Sequence, residues 1–193
     1  MKRKTFFIFL LLVLYQYICA QHPDYGLYIQ TYPLPKSAFT SVTLDNGDFI
    51  NTEGKKITLS FSLLNRKDNV FGTVFRMIAD NGQNIDLMYS VSQNDKRFPI
   101  LVTGDVVHPI QKEVELMRWI SVDLVFSPQD GSISLTYDSA QIDITHKQLA
   151  DIKSLRIAFG HCSFNGYSLG DVASVNIKDI CLKRRRYPIL ENG

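Results

Sequence analysis

Trp119-Ile-Ser-Val-Asp-Leu-Val-Phe126 and, past Pro128 to Gly131, Ser132-Ile-Ser-Leu-Thr-Tyr137 decide the fold class. In the first stretch Ile120, Val122, Leu124 and Phe126 alternate with Ser121, Asp123 and Val125. Successive side chains of a strand point to opposite faces, so period two sets one row against a core and the other toward water. The intervening Pro128 to Gly131 supplies turn residues. Two alternating strands around such a turn predict an antiparallel pair.

The same pattern extends in both directions. Lys56 to Leu64 places Ile57, Leu59, Phe61 and Leu63 on one side and Thr58, Ser60 and Ser62 on the other. Leu27 to Tyr32 reads as a first strand, stopped by Pro33 and Pro35. Phe71 to Ala79 and Ile85 to Val91 flank Asp80-Asn81-Gly82, a hairpin-type turn. Arg97 to Thr103, Gln141 to Ile144, Leu155 to Phe159 and Val172 to Leu182 complete the strands. Asp45-Asn46-Gly47 is a turn, and Asn65 to Asn69 is a polar loop. Helical spacing occurs only at Leu149, Ile152 and Leu155, enough for a short turn of helix. About ten short strands with turn signals every ten residues or so predict an all-β, two-sheet antiparallel sandwich. Strands with one polar face suit two packed sheets better than a parallel α/β layout.

Residues 1–20 stand outside this pattern. Lys2, Arg3 and Lys4 precede the apolar run Phe6 to Leu14, and Ile18-Cys19-Ala20 ends on a small residue. That is the layout of a cleaved signal peptide, with a mature start near Gln21. The run is too short for a mature membrane-spanning helix, so a membrane anchor is the lesser alternative. A lipoprotein cysteine at Cys19 is disfavoured by the large Tyr17 and Ile18 before it. The expected location is secreted, periplasmic or cell-surface. About 170 residues remain, the size of one ordinary domain. Residues 21–182 form that domain and 183–193 a tail that opens with Lys183-Arg184-Arg185-Arg186.

Removing the three signal cations lowers the 21 basic residues to 18 against 19 acidic ones, so the formal charge of +2 becomes −1. A near-neutral domain gives no electrostatic case for nucleic acid. The basic tail reads as a solvated end, with binding to an anionic surface as the alternative. Cys162 and Cys181 form an even pair in an exported chain, which permits one disulfide. Cys181 lies in an apolar run, so a buried thiol is equally compatible.

Three ordered stretches resemble the concanavalin A-like, laminin-G-like sandwich superfamily in its exported bacterial form. Leu59-Ser-Phe-Ser-Leu-Leu-Asn-Arg-Lys-Asp-Asn-Val-Phe-Gly-Thr-Val-Phe-Arg76 is similar to its strand, charged loop and following strand. Trp119 to Phe126 with Gly131-Ser-Ile-Ser-Leu-Thr-Tyr-Asp138 resembles its central pair. Phe159-Gly160, Asp171-Val172 and Ile177-Lys-Asp-Ile180 are similar to its closing segment. The resemblance covers most of residues 25–182 and implies a jelly roll. In that superfamily the sandwich serves as lectin, adhesion module, glycanase or non-catalytic appendage, so it does not by itself assign function.

Retaining glycanases of the superfamily carry acids at alternate strand positions, which sets two carboxyls on one face about 5 Å apart. Glu113-Val-Glu-Leu-Met-Arg118 has the alternation, but Arg118 stands where the last acid belongs. A neighbouring guanidinium lowers a carboxyl's pKa, which is wrong for a general acid. An edge strand carrying Glu113, Glu115 and Arg118 as solubilising charges is the plainer reading. His22, His108, His146 and His161 lack the close spacing of a zinc site. The resemblance allows calcium at Asp80, Asn81, Asn84 and Asp86, although a tight turn explains the first two as well.

A sugar site needs an aromatic platform with polar neighbours. His161, Asn165 and Tyr167 in one loop, and Asn65, Arg66 and Asp68 in another, are the candidates, with solvated loops as the plain alternative. Trp119, the only tryptophan, begins a strong strand and is expected in the core. The expected function is a non-catalytic carbohydrate-binding or adhesion module. The alternatives are an interaction domain on a partner surface protein and, less favoured, a glycoside hydrolase.

Overall fold

In a computed structural model, the structure describes residues 26–29, 41–66, 72–89, 97–160, 163–164, 167–168 and 174–186. Strands are numbered in chain order. Sheet A contains β1 (Leu27–Ile29), β4 (Lys55–Asn65), β9 (Trp119–Ser127), β10 (Ser132–Tyr137), β11 (Ala140–Thr145) and β15 (Val175–Arg186). Sheet B contains β2 (Ser41–Thr43), β3 (Ile50–Asn51), β5 (Gly72–Ala79), β6 (Asn84–Tyr89), β7 (Pro99–Thr103), β8 (Val106–Pro109) and β12 (Ser154–Gly160). Sheet A runs β1-β15-β4-β9-β10-β11 and sheet B runs β2-β12-β5-β6-β7-β8, with β3 also paired to β12. A small hairpin joins β13 (Ser163–Phe164) to β14 (Tyr167–Ser168). All strand ladders are antiparallel. This is a two-sheet jelly-roll sandwich of the concanavalin A-like type.

The alternation read from the sequence sets the register. Leu59 of β4 faces Leu124 of β9, which faces Leu135 of β10. All three are buried between the sheets. Phe61 of sheet A meets Phe75 and Phe159 of sheet B edge-to-face, with ring centroids 5.8 and 5.1 Å away. Such contacts add to the burial term and lock the two layers. A bulge between Thr73 and Phe75 lets both Val74 and Phe75 enter the core. A second irregularity, between Lys178 and Cys181, lies where Asp179 adopts φ 55°.

Several expectations change. Residues 113–118 are not an edge strand. They form an irregular crossing with one parallel bridge from Leu116 to Asn65. Glu115 there bonds Arg118 and Lys112, which also reach Asp138. These four charges hold the crossing against the β10–β11 turn, so it has no need of a ladder. The basic residues 183–186 continue β15 in register with β4, because Arg184 lies opposite Ile57 and Arg186 opposite Lys55. Trp119 is half-buried rather than core. Its neighbour Ile120 points inward, so alternation turns Trp119 outward. The helical turn is 3-10, at Lys147–Leu149.

Candidate functional site

Of the residues singled out from sequence, Asn65, Arg66 and Tyr167 lie within the described part of the structure. Asn65 is fully buried between the sheets. Its Nδ2 donates to the Tyr137 hydroxyl and to the Glu115 carbonyl, each at 3.2 Å, and its Oδ1 accepts from the Tyr89 hydroxyl. The two tyrosine hydroxyls lie 3.2 Å apart. Burial pushes both phenols up, Tyr89 well above the usual value. Asn65 therefore serves the interior. Arg66 Nε donates to Asn176 Oδ1 at 2.6 Å, and its guanidinium lies 4.6 Å from the Tyr28 ring centroid. Tyr167 pairs with Phe164 in the small hairpin. Asp68, His161 and Asn165 lie outside the described residues, as does Cys162. Cys181 is exposed rather than a buried thiol. The bulge before it turns it outward, opposite Ser60.

Sheet B instead carries an unforeseen cluster on the face turned away from sheet A. Arg76 of β5 stands opposite Asp86 of β6, which stands opposite Val102 of β7. Arg76 donates from Nε to Asp86 Oδ1 at 2.7 Å and from Nη2 to Oδ2 at 2.5 Å. Asn84 Nδ2 adds a third bond to Oδ2 at 2.8 Å. Both charged residues are buried, Arg76 at 8% exposure and Asp86 at 1%. Burial raises the Asp86 pKa, against the opposing pull of the Arg76 bonds and charge. These residues line a depression of about 200 Å³ together with Ile78, Met88 and Val102. Thr73, which faces Met88 on the same side, has a buried hydroxyl with no partner among the described residues. At the other margin Arg156 lies 4.2 Å over the ring of Phe49.

A fold does not need this arrangement. A paired buried charge is weak as a source of stability, since apolar replacements of similar volume do as well or better. The planar guanidinium, fixed on one edge by the carboxylate, keeps donors on its other edge in a set direction. Together with an amide and an apolar floor, that composition suits a polar ligand with apolar faces.

Other polar groups are committed elsewhere. Asp80 accepts from the Lys153 amide at 3.2 Å, and Asn81 bonds the Gln148 carbonyl at 2.6 Å and the Gln83 amide at 3.0 Å. With Asp86 held by Arg76, three of the four oxygens considered for calcium have protein partners. Among the described residues no group of three His, Cys, Asp or Glu side chains converges as a metal site. His108 Nε2 lies 3.0 Å from Thr103 Oγ1, and His146 Nε2 lies 3.2 Å from Gln83 Oε1. Glu115 and Asp138 have pKa values held down by hydrogen bonds from Arg118 and Lys112. Among the described residues no helix is long and apolar enough to cross a membrane.

No family model and no curated protein sequence matches the chain. Solved structures do. A heptameric pentraxin from Limulus polyphemus aligns at TM-score 0.57 and 15% identity, over 80% of this chain and 74% of its own. An alginate lyase from Pseudomonas aeruginosa aligns at TM-score 0.57 and 13% identity, over 88% and 90%. A family 18 polysaccharide lyase aligns at TM-score 0.57 and 9% identity, over 86% and 91%. At such identities the likeness shows the shared jelly roll and nothing finer.

Proposed function

We propose that this chain is an exported, non-catalytic carbohydrate-binding module that takes its glycan on the outer face of sheet B. The observation that carries the reading is the buried Arg76–Asp86–Asn84 cluster beneath a depression with an apolar floor of Ile78, Met88 and Val102. Sugars present hydroxyls at their edges and C–H groups on their faces, and this surface offers a partner to each. The names of two fold neighbours, an alginate lyase and a polysaccharide lyase, favour glycan over other polar ligands. Binding is preferred to cleavage because Asp86 has both oxygens engaged by Arg76 and Asn84. A carboxylate so held is poorly placed to move a proton.

Affinity electrophoresis through gels containing neutral or acidic polysaccharides tests this. The protein is retarded by at least one polymer, whose length stays unchanged. Met88→Ala and Asn84→Ala weaken the retardation about tenfold, the effect of one well-placed contact. No retardation across the panel overturns the reading, and shortening of the polymer replaces it with an enzymatic one. A second reading, docking on a partner protein, is favoured by Val106 and Val107 on edge strand β8, which are 48% and 54% exposed.

A further inference from the structure

The outer face of sheet A carries a second constellation, remote from the sheet B depression. Tyr28 of β1, Asn176 of β15, Leu64 of β4 and Trp119 of β9 stand opposite one another in register. They form one line across four neighbouring strands. At the usual strand spacing, the two aromatic residues are roughly 14 Å apart at the ends of this line. Leu64 and Asn176 between them are nearly buried, at 6% and 2% exposure. Tyr28 is 37% exposed and Trp119 half-buried.

Each ring carries a cation. Arg66 lies 4.6 Å from the Tyr28 centroid, and Lys178 Nζ lies 4.6 Å from the Trp119 centroid. Between them lies a buried amide donor, Asn176 Nδ2, which has no hydrogen-bond partner among the described residues. An orphaned buried donor costs free energy unless something satisfies it. Further cations, Lys183 and Arg185, follow along the same side of β15, opposite Thr58 and Lys56. Among the described residues the acids on this face are Asp179, which accepts from the Ser62 hydroxyl at 3.1 Å, Asp123, opposite Ser60, and Asp143, opposite Ser134 on the far strand β11.

We infer that this line is a second binding site, for an acidic polysaccharide laid across the strands from Tyr28 to Trp119. Aromatic faces accept the C–H faces of sugar rings, and the two flanking cations meet carboxylate or sulfate groups on the same chain. A neutral glycan would use the rings and draw nothing from the cations. The spacing of the rings calls for an oligosaccharide rather than a single sugar.

Trp119 is the only tryptophan, so its fluorescence reports this site alone. The full chain is titrated with polygalacturonate, with a sulfated glycosaminoglycan and with neutral dextran. The inference expects a saturable change in emission with at least one acidic polymer and none with dextran. The carboxylate and sulfate arms say which anion is preferred. Raising the salt weakens the response, as for exposed charge pairs. Tyr28→Ala weakens binding about tenfold and Lys178→Gln by less, with the circular dichroism of the fold unchanged. No emission change with either acidic polymer, or an equal change with dextran, overturns it.

The premise of glycan binding is shared with the proposed function, but the two fail separately. Retardation in gels without any Trp119 response removes this site and leaves the sheet B reading. A Trp119 response in a protein whose gel retardation is unchanged by Asn84→Ala and Met88→Ala upholds this site and removes the sheet B depression.

Discussion

The two outer faces of the sandwich solve the same problem in opposite ways. Sheet A turns Ser60, Ser62, Thr58, Ser121 and Ser134 toward water, and its charges stay at the surface. Sheet B draws Arg76 and Asp86 out of water and binds them to each other. Surface charges on a flat sheet are solvated and interchangeable, whereas a desolvated pair is committed to one geometry. The contrast says where substitutions are felt as stability and where they are felt as binding.

The largest effect that sharpens the contrast is Arg76→Ala. It strands Asp86 in a buried site and lowers unfolding free energy by about 3–5 kcal/mol in denaturant titration. Replacing both partners together, as Arg76→Met with Asp86→Leu, recovers most of that loss, since the uncompensated charge is gone. On sheet A, the exposed Lys183→Ala stays within about 0.5 kcal/mol of the parent. Equal losses at Arg76 and Lys183 would break the contrast.

A smaller effect lies between the sheets. Tyr89→Phe removes the buried hydroxyl bond to Asn65 Oδ1 and costs about 1–3 kcal/mol. The same titration measures it. A neutral result would mean that the polar cluster joining the two layers does not contribute to their docking.

The smallest effect is pH-dependent and belongs to sheet B. Burial, and then the nearby His146, hold the His108 pKa below its ordinary value of 6.5. The fold thus favours the neutral ring. This contribution is present above pH 6.5 and is lost as pH falls through the lowered folded value. Thermal midpoints should therefore drop slightly from pH 7.5 to 5.5, and His108→Gln should drop less. An unchanged difference would remove His108 from the account.

Much of the fold was legible because alternation is a local signal. Ile120 to Phe126 and Ile57 to Leu63 point where their period places them. The same rule, carried one residue back from Ile120, turns Trp119 outward. Strand β8 escaped notice because Val106-Val107-His108-Pro109 does not alternate and its valines are exposed. The sheet B cluster left one trace. Arg76 and Asp86 interrupt apolar runs on either side of the Asp80-Asn81-Gly82 turn, and the hairpin brings them opposite each other. The sheet A line had none, since its members come from four strands whose order the sequence does not state. Loop polarity pointed to Asn65, but the register of β4 sends its side chain into the core, where Tyr89 and Tyr137 meet it.

The central claim is that this sandwich holds a glycan on sheet B without cutting it. Electrophoresis in gels cast with polysaccharide, run beside Met88→Ala and followed by sizing of the recovered polymer, tests it directly. The account predicts retardation of the parent, about tenfold weaker retardation of the variant, and polymer of unchanged length. Free migration of the parent through every polymer, or a shortened polymer, would contradict it.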